Sequence, residues 1–482
     1  MSARTFLWLD YETFGTDPRR DWPAQFAAVR TDAELNEVAE PLLLYCQPPR
    51  DRLPSPEASL VTGITPQECA EKGIPERDFA VRINAELSRP DTISVGYNSI
   101  RFDDEVTRFL LWRNLIDPYA REWRDGCGRW DLLDVMRCAH ALRPEGINWP
   151  TGDDGNTSFR LEKLTAANGI AHEHAHDALS DVRATIALAR LLRSKQRKLF
   201  DFCLALHRKS RVAEELGLPT TLQDARPFLH VSGRFGAARG CIAIMAPLAM
   251  HPTNRNELLA WDLAADPAEL AALDADQVRQ RLFTPAAELP EGVQRLALKG
   301  VHLNRSPIVI GNIKTLRPEL AARWGVDLDV AGTHFERLRA LPDLSALWQQ
   351  VYRRPAALAE ADVDEDLYGG FLGDADRRRL ERLRALDPGE LALEQPGFDD
   401  ERLPELLFRY RARNVPQTLS GPERERWLAH CRRRLMQGDP PAISAFFDRI
   451  DALAESRVDE AAQDVLSALY DWAEQLAESV SA

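Results

Sequence analysis

The sequence predicts an α/β domain with a mixed sheet, followed by a smaller α+β domain and an all-α C-terminal domain. Short apolar runs alternate with amphipathic helical segments up to about Lys195, as is typical of α/β layers. Between residues 228 and 312, short apolar runs separated by Gly, Pro and Asn favour strands and turns. From about Pro355 onward the segments are helical, with Gly and Pro breaks between them. We therefore expect domains at 1–196, 197–354 and 355–482.

Length and composition describe an ordinary globular protein. A chain of 482 residues is too long for one core, and usual domain sizes make about three domains the first expectation. No apolar run approaches the roughly 18 residues that a membrane-spanning helix needs. The N-terminus does not resemble a signal peptide, because Asp10 ends the short run FLWL. The seven cysteines include no CxxC pair, which favours a reducing cytoplasm.

The first predicted strand lies within FLWLDYETFG, residues 6–15. Side chains alternate along a strand, so Asp10 and Glu12 project from the same face. Two carboxylates on one rigid strand are hard oxygen ligands, which suit Mg²⁺ or Mn²⁺ and phosphoryl chemistry. An amphipathic edge strand with solvated acids is the alternative interpretation, since so short a motif often occurs by chance.

Strands and helices continue to alternate after this strand. PAQFAAVRTDAELNEVAEPLLLYCQP predicts two strands around a turn near residues 31–34, PERDFAVRINAEL a helix, and TISVGYN a short strand. NSIRFDDEVTRFLLWRN predicts an amphipathic helix that starts with Asp103 and Asp104. These acids could simply cap the helix. Their position directly after a strand also favours a ligand site, because such sites gather at the carboxyl ends of strands.

The remainder of the first domain is predicted to be helical. RWDLLDVMRCAHALRP predicts a helix from Arg129, and SFRLEKLTAANGI a short one. AHEHAHDALSDVRATIALARLLR predicts a long helix with Asp177 at its N-cap, Asp181 in its first turns and His176 on the loop before it. The alternating histidines 172, 174 and 176 permit a zinc interpretation, but without a nearby cysteine we expect an exposed loop for His172 and His174.

Charge leaves the binding of nucleic acid open. The net charge of -14 argues weakly against a protein that coats nucleic acid, because phosphate neutralisation needs clustered cations. One thirty-residue window nevertheless contains Arg108, Arg113, Arg121, Arg124, Arg129 and Arg137 with Trp112, Tyr119, Trp123 and Trp130. Arginines with aromatics suit a single-strand track, whereas buried Trp beside solvated Arg is the alternative. The run RYRARN, residues 409–414, allows a phosphate contact or a solvated helix face.

The motifs DYE, FDDE and HDALSD, in this order, resemble the DEDD superfamily of 3′→5′ exonucleases in its histidine-bearing branch. Further runs are similar to the exonuclease I family of bacteria and extend over nearly the whole chain: PAQFAAVRTD, RWDLLDV, RPEGINWP, SFRLEKL, HVSGRFGA, IKTLRPE and LLFRYRARN. The resemblance implies a ribonuclease H-like exonuclease domain, then an SH3-like DNA-binding domain and a helical C-terminal domain.

The resemblance also implies roles for individual residues. The family's catalytic residues fall on Asp10, Glu12, Asp103, His176 and Asp181, with His176 as general base and Asp104 left as a helix-start residue. Asp10, Glu12 and Asp181 are expected to hold one Mg²⁺, and Asp10 with Asp103 a second, with Mn²⁺ as a possible substitute. The expected substrate-binding residues are Glu12, Arg160, Arg108, Tyr119, Trp123 and Arg137.

The activity implied is processive 3′→5′ degradation of single-stranded DNA to deoxynucleoside 5′-monophosphates, with a role in DNA repair and recombination. The extra domains favour processivity, because a wrapped strand keeps a high local concentration at the site. A monomer is expected, as is an interaction with the acidic C-terminal tail of single-stranded DNA-binding protein. The alternatives are a DEDD exoribonuclease, a hydrolase of double strands and a non-catalytic single-strand binding module.

Overall fold

The structure is a computed structural model that describes residues 4–172, 177–353, 361–437, 442–457 and 459–481. The described residues form two compact units. The first unit draws on Met1–Gly128, Glu173–Arg183 and Ala359–Ala482, and the second on Arg129–His172 and Ala184–Leu358. Among the described residues, no helix is both long enough and apolar enough to cross a membrane.

Strands and helices of the described residues are numbered separately in chain order. The strands are β1 Thr5–Thr13, β2 Pro23–Thr31, β3 Leu42–Tyr45, β4 Thr92–Gly96, β5 Gly128–Asp131, β6 Phe228–Val231, β7 Ile242–Met250, β8 Glu257–Asp262, β9 Leu298–His302 and β10 Ile308–Ile310. The α-helices are α1 Pro56–Thr62, α2 Pro66–Lys72, α3 Glu76–Leu87, α4 Asp103–Arg113, α5 Leu132–Leu142, α6 Leu161–Ala167, α7 Ala178–Lys195, α8 Arg197–Ala205, α9 Lys209–Glu215, α10 Ala275–Phe283, α11 Pro318–Arg323, α12 Leu328–Arg339, α13 Ser345–Val351, α14 Asp374–Arg384, α15 Pro388–Leu393, α16 Leu403–Asn414, α17 Gly421–Met436, α18 Ala442–Ser456 and α19 Glu460–Ser481.

The first unit contains a mixed sheet, as predicted. β1 pairs antiparallel with β2 and parallel with β4, and β3 pairs antiparallel with β2. Leu7, Leu9 and Tyr11 alternate along β1 and belong to a buried cluster that includes Ile83 of α3 and Leu110 of α4. Because this face of β1 packs into the core, the intervening residues project from the opposite face.

The predicted helices α3, α4 and α7 are all present. α4 begins with Asp103, shortly after β4. Asp177 caps α7 as predicted, since its side chain accepts the amide N–H of Ser180 at 2.9 Å. Asp181 lies in the first turn of α7.

The helix predicted from Arg129 is wrong at its start. Residues 128–131 form β5, and α5 begins only at Leu132. Asp131 separates the two elements, because its side chain accepts the N–H of Leu133 at 3.0 Å and so caps the helix. The apolar periodicity of α5 continued back across this cap, which is why the sequence pattern missed the strand.

The second unit contains an all-antiparallel sheet in the order β10-β6-β7-β8-β9. This agrees with the α+β character predicted for residues 228–312. Its strands are largely buried, and β6, for example, is buried along its whole length.

Both interpretations of RYRARN are wrong. Arg409 and Arg411 are buried, and the side chain of Arg413 is only 6% exposed. Arg413 donates to Asp51 at 2.8 Å and to Asp364 at 2.6 Å, and the side chains of both acids are fully buried. The run therefore forms internal ion pairs rather than a phosphate contact or a solvated face.

Candidate active site

Three carboxylates converge on the face of β1 opposite Leu7, Leu9 and Tyr11. Asp10 and Glu12 lie two residues apart on this strand, and Asp181 lies in the first turn of α7. Single oxygens of the three side chains all lie within 4.8 Å of one another. Glu12 is only 8% exposed, so this group is set into the protein rather than spread over its surface. The interpretation of β1 as an edge strand with solvated acids is therefore wrong.

Asp103, the first residue of α4, is hydrogen-bonded to the backbone of β1 next to these acids. Its Oδ1 accepts the N–H of Tyr11 at 3.1 Å, and Tyr11 lies between Asp10 and Glu12 in the chain. The Thr107 hydroxyl donates to the carbonyl oxygen of Asp103 at 2.8 Å and lies 3.1 Å from the Tyr11 hydroxyl. α4 has Phe102 at its N-cap, without a side-chain cap bond, so Asp103 binds the neighbouring strand instead of capping its own helix.

The second acid of the pair has a different partner. Asp104 accepts a hydrogen bond from Nη2 of Arg121 at 2.8 Å, and the Arg121 side chain is fully buried. Asp104 is thus a helix-start residue that pairs with a cation, whereas the negative charge of Asp103 acts on Asp10 and Glu12. The assignment of Asp103, and not Asp104, to the catalytic site stays a prediction.

Electrostatics disfavour charge on these acids. Burial, together with the negative charges of Asp103 and Glu12, raises the pKa of Asp10 well above its ordinary value. Burial and the charge of Asp181 raise the pKa of Glu12 to about 8. Asp177 contributes to both shifts. Closely spaced carboxylates resist joint ionisation unless a cation compensates for their charge.

The donor set fits a divalent cation. The ligands available are carboxylate oxygens, which hard cations such as Mg²⁺ and Mn²⁺ prefer over nitrogen or sulfur. The raised pKa values of Asp10 and Glu12 give an independent reason, since a bound cation would relieve their mutual repulsion.

His176, the predicted general base, lies outside the described residues, and so does His174. His172 is described and is only partly exposed, with Nδ1 3.2 Å from the Thr165 hydroxyl. The exposed position expected for His172 is therefore wrong, because this contact holds the ring against α6. The assignment of His176 as general base stays a prediction.

Aromatic side chains on the first unit include two that the sequence indicated. Trp123 is 65% exposed, and Tyr119 is partly exposed. Arg108 is only 4% exposed and donates to both carboxylate oxygens of Glu122, at 2.7 and 2.9 Å. The guanidinium of Arg108 also lies over the ring of Tyr119, at 5.3 Å from its centroid. A phosphate contact by Arg108 stays a prediction, and the structure gives this residue internal partners.

Two aromatic residues beside this surface were missed by the sequence analysis. Phe371 is 84% exposed, and its ring centroid lies 6.0 Å from that of Tyr119. Tyr368 is 42% exposed and accepts a hydrogen bond from Nη1 of Arg108 at 3.0 Å. The signal available was the aromatic pair in LYGGFLG, but these residues are about 250 positions away from Tyr119 in sequence, so no local pattern connects them.

Two further predicted substrate contacts lie in the second unit. Arg137 pairs with Asp134 at 2.6 Å, and its guanidinium lies 5.8 Å from the ring centroid of Phe159. Arg160 is exposed and precedes α6. Both roles stay predictions.

The mixed sheet and its convergent carboxylates define a nuclease-type site. Residues 7–189 match the family described as Exonuclease, residues 207–354 the Exonuclease I SH3-like domain, and residues 361–476 the Exonuclease I C-terminal domain. The chain belongs to the exonuclease I family.

Relatives and solved structures of this family match along almost the whole chain. The chain is 45% identical to exodeoxyribonuclease I of Escherichia coli K12, covering 98% of both chains, and 46% identical to the Haemophilus influenzae protein over 89% of this chain and 90% of the relative. A structure of exonuclease I from Methylocaldum szegediense has a TM-score of 0.92 and 49% identity, covering 98% of this chain and all of that one. E. coli exonuclease I in complex with a dA16 oligonucleotide has the same TM-score and coverage at 44% identity.

Proposed function

We propose that this chain is a metal-dependent exodeoxyribonuclease that degrades single-stranded DNA processively in the 3′→5′ direction and releases deoxynucleoside 5′-monophosphates. The observation that carries the proposal is the convergence of Asp10, Glu12 and Asp181 within 4.8 Å in a member of the exonuclease I family. Removal of single strands fits a role in DNA repair and recombination. We also propose that the protein acts in the cytoplasm as a monomer.

Mg²⁺ is the proposed cofactor, with Mn²⁺ as a substitute. Asp10, Glu12 and Asp181 would hold one ion, and Asp10 with Asp103 a second. When bound, the ions would polarise the scissile phosphate and neutralise the charge that develops on it. The hydrogen bond from the Tyr11 N–H to Oδ1 of Asp103 supports this proposal, because it holds one carboxylate oxygen of Asp103 beside β1.

His176 is the proposed general base. An imidazole ordinarily titrates near pH 6.5, so at neutral pH it accepts a proton from the water that attacks the terminal phosphodiester. The proton leaves the water as its oxygen bonds to phosphorus, and the bond from phosphorus to the 3′ oxygen of the preceding nucleotide breaks; this oxygen keeps the electron pair and takes up a proton from solvent water. Glu12 is proposed to contact the terminal nucleotide as well.

The proposed DNA path on the first unit runs over Tyr119, Trp123 and Phe371. Exposed rings bind single strands by stacking on bases of any sequence. Arg108 supports this surface, since its guanidinium binds the hydroxyl of Tyr368 and lies over Tyr119. On the second unit, Arg137 and Arg160 are the proposed phosphate contacts.

The two domains that follow the exonuclease domain are the basis for proposing processivity. We propose boundaries at 196/197 and 354/355, with the second domain binding DNA. A strand held by additional domains returns to the site faster than it dissociates, because its effective concentration there is high.

A comparison of three substrates tests the proposed function. End-labelled single-stranded DNA, duplex DNA and RNA are incubated with Mg²⁺ and either the wild type, Asp181→Asn or Asp153→Asn, the last altering an acid whose side chain is 99% exposed. We expect release of mononucleotides from single-stranded DNA by the wild type and by Asp153→Asn, with a large loss in Asp181→Asn. Activity that survives Asp181→Asn contradicts the proposal.

The same experiment separates the alternatives. RNA degraded in preference to DNA indicates an exoribonuclease, whose site accommodates the 2′-hydroxyl. Metal-independent binding without release of mononucleotides indicates a non-catalytic module. Long products that shorten gradually in the presence of trap DNA indicate distributive cutting and contradict processivity.

We further propose that the protein binds the acidic C-terminal tail of single-stranded DNA-binding protein. A cavity of about 580 Å³ in the second unit supports a location for this contact. Its lining includes one acid, Glu215, but the cations Arg143, Lys195, Arg197 and Lys198 outnumber it, and together with apolar Phe202 and Ile310 they suit an acidic peptide with apolar side chains. We expect Lys198→Glu to weaken binding of a labelled tail peptide while leaving the nuclease rate on free DNA unchanged. Unaltered peptide binding contradicts this location.

A further inference from the structure

A buried glutamine links the strand that carries two of the acids to the helix that carries the third. Gln25 lies in β2 directly opposite Glu12 and is 2% exposed. Its Nε2 donates to the hydroxyl of Tyr45 at 2.8 Å, and its Oε1 accepts the backbone N–H of Ala178 at 3.3 Å. Ala178 is the first residue of α7.

The hydrogen bond to Gln25 satisfies a backbone N–H, that of Ala178, for which the helix itself has no acceptor. The first amides of an α-helix have no intrahelical acceptor. At α7, Asp177 accepts the N–H of Ser180, and Gln25 accepts that of Ala178. Two side-chain acceptors therefore bind the first turn of α7, and the acceptor from β2 fixes the height of this turn above the sheet. Asp181 follows Ala178 by three residues, so it is carried by the same turn.

The chemical identity of the side chain matters at this position. Glutamine offers an oxygen acceptor without adding a negative charge beside Asp10, Glu12, Asp103 and Asp181. Its amide nitrogen is in turn held by Tyr45, which also pairs with Gln25 in the register of β2 and β3. With both ends bonded, the Gln25 side chain has a fixed orientation.

We propose that Gln25 is a positioning residue for the metal site: it fixes the first turn of α7 to the β1–β2 pair, so that the carboxylate of Asp181 meets those of Asp10 and Glu12. The inference rests on the proposed metal-dependent function. Gln25 acts through Ala178 and the helix, and it is not itself a ligand.

Metal binding measured by calorimetry tests the role directly, with Mn²⁺ as the probe and the full-length protein. Gln25→Met replaces the amide with an unbranched side chain of similar length and removes both hydrogen bonds. We expect the Kd for Mn²⁺ to rise about 10- to 100-fold, the range typical when a group that orients a metal ligand is removed. The metal concentration for half-maximal nuclease activity should rise in parallel.

Gln67→Met is the matched control. Gln67 also donates from Nε2 to a backbone oxygen of a helix, that of Ala468 in α19, but it binds no element of the site. We expect Gln67→Met to lower the thermal midpoint and to leave the Kd for Mn²⁺ unchanged. A purely structural role for Gln25 predicts the same pattern for Gln25→Met, so a folded Gln25→Met protein with wild-type Kd overturns the inference.

Gln25→Asn keeps the test decisive if Gln25→Met does not fold. It retains a buried amide but withdraws the acceptor from Ala178 by one methylene, so a weakened Kd is again expected, and a wild-type Kd overturns the inference. Failure of the proposed function looks different, because the wild type itself would then bind no Mn²⁺ and release no mononucleotides.

Discussion

The backbone N–H of Tyr11 donates to Oδ1 of Asp103 at 3.1 Å, so the peptide between the two acids of β1 holds the acid at the start of α4. One strand thus supplies two carboxylates directly and orients a third through its backbone. The neighbouring acid, Asp104, is held by Arg121 instead. Adjacent residues of one helix turn therefore have different partners, a backbone amide of β1 for Asp103 and the Arg121 guanidinium for Asp104.

We expect substitution of Asp103 to lower the nuclease rate and substitution of Asp104 to lower the stability. In Asp103→Asn the amide oxygen can still accept the Tyr11 N–H, so we expect a stable protein whose nuclease rate falls by about 10² to 10³, the usual cost of losing one electrostatic group at a reacting centre. In Asp104→Asn the buried Arg121 keeps only the more distant carboxylate of Glu122, at 3.8 Å, which should destabilise the protein by about 3–5 kcal/mol. Urea unfolding and initial rates measure both. A reversed pattern would contradict the assignment of Asp103 to the site.

Metal binding should release protons. Burial and Asp181 raise the pKa of Glu12 to about 8, so near pH 7 the metal-free protein carries a proton there that a bound cation displaces. We expect affinity for Mn²⁺ to rise with pH up to about 8, about tenfold per unit for each proton released. Calorimetry in two buffers of different ionisation enthalpy counts the protons. Affinity that is constant between pH 6 and 8 is the contrary result.

The raised pKa of Glu12 also determines how the stability of the metal-free protein changes with pH. The unfolded chain loses the Glu12 proton near its ordinary pKa, whereas the folded protein keeps it to about pH 8. The stability that Glu12 contributes is therefore fully present below the pKa of Glu12 in the unfolded chain. It is lost as the pH rises from that pKa to about 8. Added Mn²⁺ should restore it at pH 8, which thermal unfolding with and without the ion measures.

Local periodicity predicted most of the elements and the positions of Asp10, Glu12 and Asp181 on them, whereas the choice of these acids as a set came from the resemblance to a family. Alternation in β1 places Asp10 and Glu12 on one face, and a cap at Asp177 places Asp181 in the first turn of α7. β5 was missed because a four-residue strand is too short for a pattern to separate it from the helix after it.

Burial of charged side chains could not be predicted in the same way. A run such as RYRARN looks the same to local pattern whether it faces water or an acid brought from a distant part of the chain. Asp51 lies about 360 residues from Arg413, yet the two form a buried pair. Phe371 beside Tyr119 was missed for the same reason.

Exposed aromatics should contribute to DNA binding without contributing to stability. Trp123 is 65% exposed, and we expect Trp123→Ala to weaken the binding of a single-stranded oligonucleotide by about 1–3 kcal/mol, the usual worth of one stacked base. Tyr470→Ala is the control, since Tyr470 of α19 is 37% exposed and lies in a helix for which no DNA contact is proposed. Fluorescence anisotropy with Ca²⁺ in place of Mg²⁺ measures binding without cutting. Equal affinities for the two variants would exclude Trp123 from the path.

The ion pairs of Arg413 should be essential to stability at neutral pH. Burial alone would raise the pKa of Asp51 and of Asp364, but the charge of Arg413 lowers both below the ordinary value. Arg413→Met removes the closest cation from both fully buried carboxylates and leaves Asp364 with Arg409 at 2.9 Å and Asp51 with His430 at 3.6 Å, so we expect a loss of about 3–5 kcal/mol at pH 7.

The pH dependence of this loss follows from the sign of the shifts. Stability from acids with lowered pKa is present above their unfolded value, near 3.9, and is lost as pH falls through the folded value. In Arg413→Met burial raises the pKa of Asp51 and of Asp364, so these acids take up protons as the pH falls below 7. The stability deficit relative to wild type should therefore be largest near pH 7 and shrink toward pH 4. Arg377→Met is the matched control, because Arg377 is 40% exposed and its pairs with Asp117 and Asp374 should contribute less than about 1 kcal/mol. Urea unfolding from pH 4 to 8 distinguishes the two, and equal losses would mean that the buried pairs add nothing beyond a surface ion pair.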